Sequence, residues 1–131
     1  MSESNEQFIE SFNTMQREAH GINIKNGWWY KRSKIISLCH ESRIDYRPHL
    51  IIELIGLAHT ELSEGVEAVR KQPPETWDDY NTKDTLVREL AGTIVRIMDI
   101  AEFFDLQLAK AIEFEINEAR TRGYMHGGKV A

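Results

Sequence analysis

Apolar positions along this chain recur at steps of three and four residues, and nowhere do they alternate over a useful strand length. Phe8, Phe12, Met15 and Ala19 predict an amphipathic helix over roughly residues 5–19, ended by Gly21 and the Lys25-Asn26-Gly27 turn. After Trp28-Trp29-Tyr30, the run from Lys34 to Glu41, with Ile35, Ile36 and Leu38, predicts a short helix. Pro48 can open the next helix, since a first turn does not need its missing N–H, and that helix is expected from His49 to Lys71, where Pro73-Pro74 stops it. A polar and aromatic loop from Glu75 to Thr82 follows.

Asp84 is expected to cap a helix reaching Phe104, with Leu86, Leu90, Ile94, Ile97 and Ala101 as its buried stripe. Asp105 is expected to cap the last helix, with Leu108, Ala111, Ile112, Ile116 and Ala119 inward. The glycine-rich tail beyond Arg120, at about residues 121–131, is expected to be irregular or mobile. These elements predict an all-α antiparallel helix bundle forming one domain over residues 1–131, its core completed by oligomerisation.

The formal net charge of −5 argues against a general nucleic-acid surface, which is usually basic. The lone Cys39 has no internal disulfide partner and suits a reducing, cytoplasmic setting as a small buried residue. No signal peptide is visible, and Glu53 and Glu61 interrupt the most apolar region, so no membrane span is expected. No Ser–His–Asp, Cys–His, zinc or P-loop arrangement is legible.

The acids carry the candidate chemistry. Leu54, Leu57, Glu61, Glu64 and Ala68 lie on one helical stripe, so two carboxylates continue an apolar seam. Residues three apart rise only about 4.5 Å, so Glu61 and Glu64 can reach one ion or two neighbouring ions. Bare, they would repel one another, raising their pKa values or calling for a cation. On the following helix Glu89, Gly92, Arg96 and Asp99 share a polar stripe, and antiparallel packing could bring Glu89 to Glu61 and Glu64. Three converging carboxylates suit Mg²⁺ or Mn²⁺. The bland alternative is that they are ordinary solvated charges. Asp99 lies about 15 Å beyond Glu89 along a helix and is expected to pair with Arg96 instead. His59 points away from Glu61 and reads as a packing or capping residue.

Asn26-Gly-Trp-Trp29, the run Leu57-Ala-His-Thr-Glu-Leu-Ser-Glu-Gly-Val-Glu-Ala-Val-Arg-Lys71, Glu89-Leu-Ala, Val95-Arg-Ile-Met-Asp-Ile-Ala101 and Thr121-Arg-Gly-Tyr-Met-His-Gly-Gly-Lys129 together resemble the MazG-like nucleoside triphosphate pyrophosphohydrolases. The family carries an ExxE, a spacer and an ExxD. Glu61 and Glu64 match the first half, 24 residues intervene, and Glu89 matches the first acid of the second half.

The resemblance implies cleavage of a nucleoside triphosphate to a monophosphate and pyrophosphate, dependent on Mg²⁺ (or Mn²⁺) held by Glu61, Glu64 and Glu89, in a homodimer or homotetramer. Trp28 and Trp29 can stack on a base or pack on the bundle, with one expected at the site mouth and one in packing. Lys31 and Arg32 can meet phosphates or stay solvated, and Arg96, Arg122, His126 and Lys129 complete the candidate substrate contacts, beside Arg120 in the tail. The chain departs from the family's aspartate at Gly92, and from its nucleotide-contacting Lys and Asn at Glu115 and Ala119. Water or Glu67, one turn beyond Glu64, is a candidate for the missing ligand. The alternatives are a catalytically weakened or inactive relative that binds a nucleotide or a protein partner, and a purely structural helical protein.

Overall fold

The computed structural model describes residues 3–122, with side chains from Asn5 onward. Five helices account for most of them: α1 (Glu3–Lys25), α2 (Tyr30–Glu41), α3 (Arg47–Lys71), α4 (Leu86–Phe103) and α5 (Leu108–Arg122), with one 3-10 turn at Pro74–Thr76. No strand occurs among the described residues, and the architecture is an all-α bundle. Helix α4 is central, packing against both α3 and α1, while α5 packs against α1. Gly65 of α3 lies by Leu86 and Glu89 while Glu61 meets Arg96, so α3 and α4 run antiparallel. None of the described helices is long and apolar enough to cross a membrane.

Helix α1 continues through Gly21, where the sequence pattern predicts its end. One interior glycine costs only about 1 kcal/mol, and the residues on either side of it, His20 and Asn23, face α4: His20 pairs with Asp99 and Asn23 borders the cleft. The helix stops at Gly27, whose φ of 85° is the left-handed conformation that glycine adopts without strain. Gly27 N–H donates to the Ile24 carbonyl at 3.0 Å and Trp28 N–H to that of Asn23 at 3.0 Å, the paired bonds of a Schellman cap. This turn sends Trp28 and Trp29 in different directions. Helix α2 begins at Tyr30, four residues before its expected start.

Two non-glycine residues end other helices in the same way. After α2, Arg43 has φ 57° and Ile44 N–H donates to Cys39 O at 2.8 Å; after α4, Asp105 has φ 54° and Leu106 N–H donates to Ala101 O at 2.8 Å. Asp105 therefore closes α4 rather than opening α5. A side chain in the left-handed region is strained by roughly 1–2 kcal/mol, partly offset by the chain entropy glycine loses. Arg43→Gly is accordingly expected to stabilise the protein by about 0.5–1 kcal/mol in urea unfolding. Asp84 also adopts a left-handed φ of 66°, and the N-cap position of α4 falls to Thr85, whose hydroxyl donates to the Asp79 carbonyl at 2.8 Å.

Trp29, Leu50, Leu54 and Ile100 form the buried core, with Ile36, Tyr46, Phe103 and Phe104 packed around them. The stripe expected to be buried on α4 divides: Ala101 is buried, but Leu90, Ile94 and Ile97 are exposed. The true inner face of α4 is shared with polar groups, namely Glu89, Thr93 and Asp99. On α5, Ala109 is the buried residue, while Ile116 and Ala119 face out. Helix α5 extends through Arg122, so residues 121–122, expected in an irregular tail, are helical; the remainder of that expected tail lies outside the described residues.

Candidate metal centre and adjoining cleft

Helix α3 presents Glu61 and Glu64 one turn apart, and the antiparallel α4 brings Glu89 opposite them. Each of the three offers a carboxylate oxygen, and these atoms all lie within 4.8 Å of one another. Gly65 and Ala68 keep the α3 side of the seam small, and a Cβ on Gly65 would sit 3.7 Å from Glu89 Cβ, in ordinary contact, so the space there suits a residue no larger than alanine. The convergence expected from helix periodicity is thus present, although Gly92 contributes no fourth carboxylate.

The three acids differ in environment. Glu64 is exposed, Glu61 is half-buried and Glu89 is buried, with 7% of its surface exposed. Burial first, then the hydrogen bond and charge of Glu64, and then the charges of Glu61 and Asp84, push the Glu89 carboxyl up to about 7. Near neutral pH the protonated form of Glu89, which can hydrogen-bond Glu64, is therefore favoured. This proton offsets part of the repulsion that a cation would otherwise relieve.

Glu61 has a different counter-charge. Arg96 Nε donates to its Oε1 at 2.8 Å, and the Arg96 guanidinium carbon stands 5.0 Å from the centre of the Trp28 ring. The expected Arg96–Asp99 pair does not form. Asp99 instead accepts from the Trp29 indole N–H at 3.1 Å and pairs with His20 Nδ1 at 2.5 Å, tying α4 to α1 and to the turn after it. No local signal foretold the latter contact, because 79 positions separate His20 from Asp99.

A cleft of about 390 Å³ opens beside the acids, bounded by Trp28, Arg32, Glu61, Arg88, Arg96 and Asp99. A smaller hollow of about 250 Å³ lies on the other side, where Glu64 and Glu89 meet Glu67, Lys71 and Asp84. The acidic group therefore stands between a cationic, aromatic cleft and a mostly acidic hollow. Glu67 is outside the close triad and pairs with Arg70 and Lys71, each at 3.4 Å.

The other sequence-predicted residues are distributed unevenly. Trp28 is at the cleft mouth, 48% exposed. Trp29, also expected among the substrate contacts, is a core residue stacked on Phe103 with ring centres 4.2 Å apart. Lys31 is exposed and lines a neighbouring hollow with Tyr30 and Glu53, which shares Trp28 and Arg32 with the cleft but none of the three acids. Arg122 pairs with Glu118 at 3.4 Å and Glu115 at 3.8 Å at the end of α5. His126 and Lys129 lie outside the described residues. Arg32 donates to the Trp28 carbonyl at 2.6 Å and to Glu53 at 3.3 Å, bracing the Trp28 turn. Arg88, which sequence pattern did not single out, borders the cleft and donates to the Tyr80 carbonyl at 3.0 Å.

Neither a family model, nor a curated protein, nor a solved structure matches this chain.

Proposed function

We propose that this chain is a MazG-like nucleoside triphosphate pyrophosphohydrolase that depends on Mg²⁺ or Mn²⁺. The observation that carries the reading is the approach of Glu61, Glu64 and Glu89 within 4.8 Å, beside a cleft walled by an exposed tryptophan and arginines. The donor set is all carboxylate oxygen, which suits a hard cation, and burial together with the neighbouring carboxylates raises the Glu89 carboxyl, a cost that a bound cation would relieve. These three acids would hold the ion. Bound there, it would supply the positive charge that offsets the phosphate oxygens and the leaving pyrophosphate.

The chain's own groups have separable roles in this reading. Trp28 offers its exposed face to the base, and Arg96 and Arg88 meet phosphate oxygens. A carboxylate of the triad accepts the proton of the attacking water. The water oxygen bonds to the α-phosphorus as the bond to the bridging oxygen breaks, giving a monophosphate and pyrophosphate. Such substrates accord with a cytoplasmic setting.

A second reading has its own support. Glu61 is held by Arg96, and position 92 offers no ligand, as expected for a relative that binds a nucleotide without hydrolysing it. Pyrophosphate release across a panel of nucleoside triphosphates, with Mg²⁺ and with Mn²⁺, separates the two. Turnover lost in Glu64→Gln supports the enzyme. Absence of turnover in wild type and in Gly92→Asp, with nucleotide binding retained, favours the binding module.

Self-association belongs to the same proposal. Helices α3 and α4, which also carry the acids, expose an apolar groove of about 390 Å³ lined by Ile51, Ile55, Leu62 and Ile97, with Leu106 from the connection to α5. Contiguous apolar surface of this kind is typical of subunit interfaces. A second copy seated there would cover Ile97 and Ala101 of the α4 stripe that periodicity assigned to a core. Wild type is expected to be a dimer or tetramer by light scattering, and Ile55→Glu to shift it to monomer with its helix content intact. A monomeric wild type would remove this part of the proposal.

A further inference from the structure

We infer that Arg96 couples cation and polyphosphate binding, holding Glu61 against a cation until an anion in the cleft draws the guanidinium charge away. The inference rests on the metal-site reading above and concerns how that site assembles.

Three observations support it. First, the Arg96–Glu61 pair is semi-enclosed, with side chains 28% and 23% exposed, and its 2.8 Å bond engages Glu61 Oε1 directly. Partial burial makes such a pair stronger than one in open solvent. Second, Glu61 Oε2 lies 3.2 Å from where a Cβ on Gly92 would stand. A side chain at position 92 would crowd that oxygen, so the glycine gives Glu61 the room to lean across α4 toward Arg96. Third, Arg96 uses only Nε on Glu61. Among the described residues its Nη groups make no hydrogen bond to protein, and the residue borders the cleft. Arg88 and Arg32, by contrast, already donate to backbone carbonyls. Arg96 thus has donors available for an anion while its charge is directed at a metal ligand.

The electrostatic consequence has a definite sign. A divalent ion on Glu61 would lie on the order of 5 Å from the guanidinium, and like charges at that range weaken binding about tenfold even in a high dielectric. A polyphosphate contacting the free Nη groups cancels that charge. Cation and anion therefore favour one another, and by linkage the effect is reciprocal. The free protein should take up a cation–polyphosphate pair more readily than the cation alone.

The test measures the two ligands separately on the full chain: Mn²⁺ alone by calorimetry, and inorganic tripolyphosphate without divalent ions. Arg96→Gln is expected to bind Mn²⁺ about tenfold more tightly and tripolyphosphate about tenfold more weakly, as loss of one charge and two donors requires. Arg96→Lys, which keeps the charge, is expected to stay within about twofold of wild type for Mn²⁺. Glu61→Gln, which frees Arg96, should strengthen metal-free tripolyphosphate binding severalfold, and this arm stands even if Arg96→Gln does not fold. A purely structural arginine would weaken both ligands when removed, and that result, or unchanged Mn²⁺ affinity in Arg96→Gln, overturns the coupling alone. Failure of the metal site looks different: neither wild type nor Arg96→Gln binds Mn²⁺, or binding ignores Glu64→Gln, and the coupling then falls with it.

Discussion

Glu89→Gln is expected to stabilise the cation-free protein above neutral pH while weakening cation binding by roughly a hundredfold, at least as much as loss of a ligand's supporting partner costs. The two effects have one origin. Glu89 is buried opposite two other carboxylates, and its carboxyl is raised from 4.5 to about 7. Between those values the folded chain holds a proton that the unfolded chain has lost. Stability from this group is therefore greatest near the lower value, falls as pH rises through the window, and levels off above about 7. Glutamine removes the charge and with it the decline, so thermal melts of wild type and variant should converge near pH 5 and separate by several degrees near pH 8.

The same proton competes with the cation. Below about 7, binding must displace it, so apparent Mn²⁺ affinity is expected to fall by up to about tenfold per pH unit, and proton release should appear in calorimetry as a dependence on buffer ionisation enthalpy. Above that range the dependence should flatten. Pyrophosphate release, where present, should fall with cation occupancy in Glu89→Gln. A variant that melts with the same pH profile as wild type would show that Glu89 is not the crowded, protonated member of the group.

Trp29→Ala is expected to destabilise the fold by about 3–5 kcal/mol, the usual range for truncating a buried aromatic residue. Trp29 is 7% exposed, stacks on Phe103, and donates its indole N–H to Asp99, which is itself nearly buried. The substitution removes a large apolar surface from a small core and leaves Asp99 with His20 as its partner. Trp29→Phe separates the two contributions. It can keep the stack while losing the donor to a buried carboxylate, and should be destabilised by about 1–3 kcal/mol. Urea unfolding measures both. Trp28→Ala, on an exposed neighbour, should change stability little and instead weaken nucleotide binding. Equal destabilisation by Trp28→Ala and Trp29→Ala would contradict the division between cleft and core.

That division marks how far local pattern reaches. Adjacent tryptophans can be expected to point apart, but which one enters the core depends on the left-handed turn at Gly27 and on the partner waiting at Asp99. The pairing of charged groups was similarly open. Arg96 and Asp99 sit at a favourable helical spacing, yet each has a better-placed partner on another element, Glu61 for one and His20 with Trp29 for the other. A single residue does not fix a helix end without its context: Gly21 lies within α1, and Asp105 closes a helix instead of starting one. Leu90, Ile94 and Ile97 follow the periodicity of a buried face but are exposed in the single chain, because periodicity records that a face is apolar and not what covers it.

The amino-acid sequence by itself determined the helical architecture, the order of the helices and the acids set into their apolar seam, because three- and four-residue spacing is a property of one helix and needs no partner. Tertiary structure decided which charges meet. Small residues at Gly65 and Ala68 let α3 and α4 approach, bringing Glu89 to Glu61 and Glu64, and the bare Gly92 leaves Glu61 free to lean onto Arg96. Electrostatic partnership varies steeply with distance and burial, and both are set between elements rather than along them.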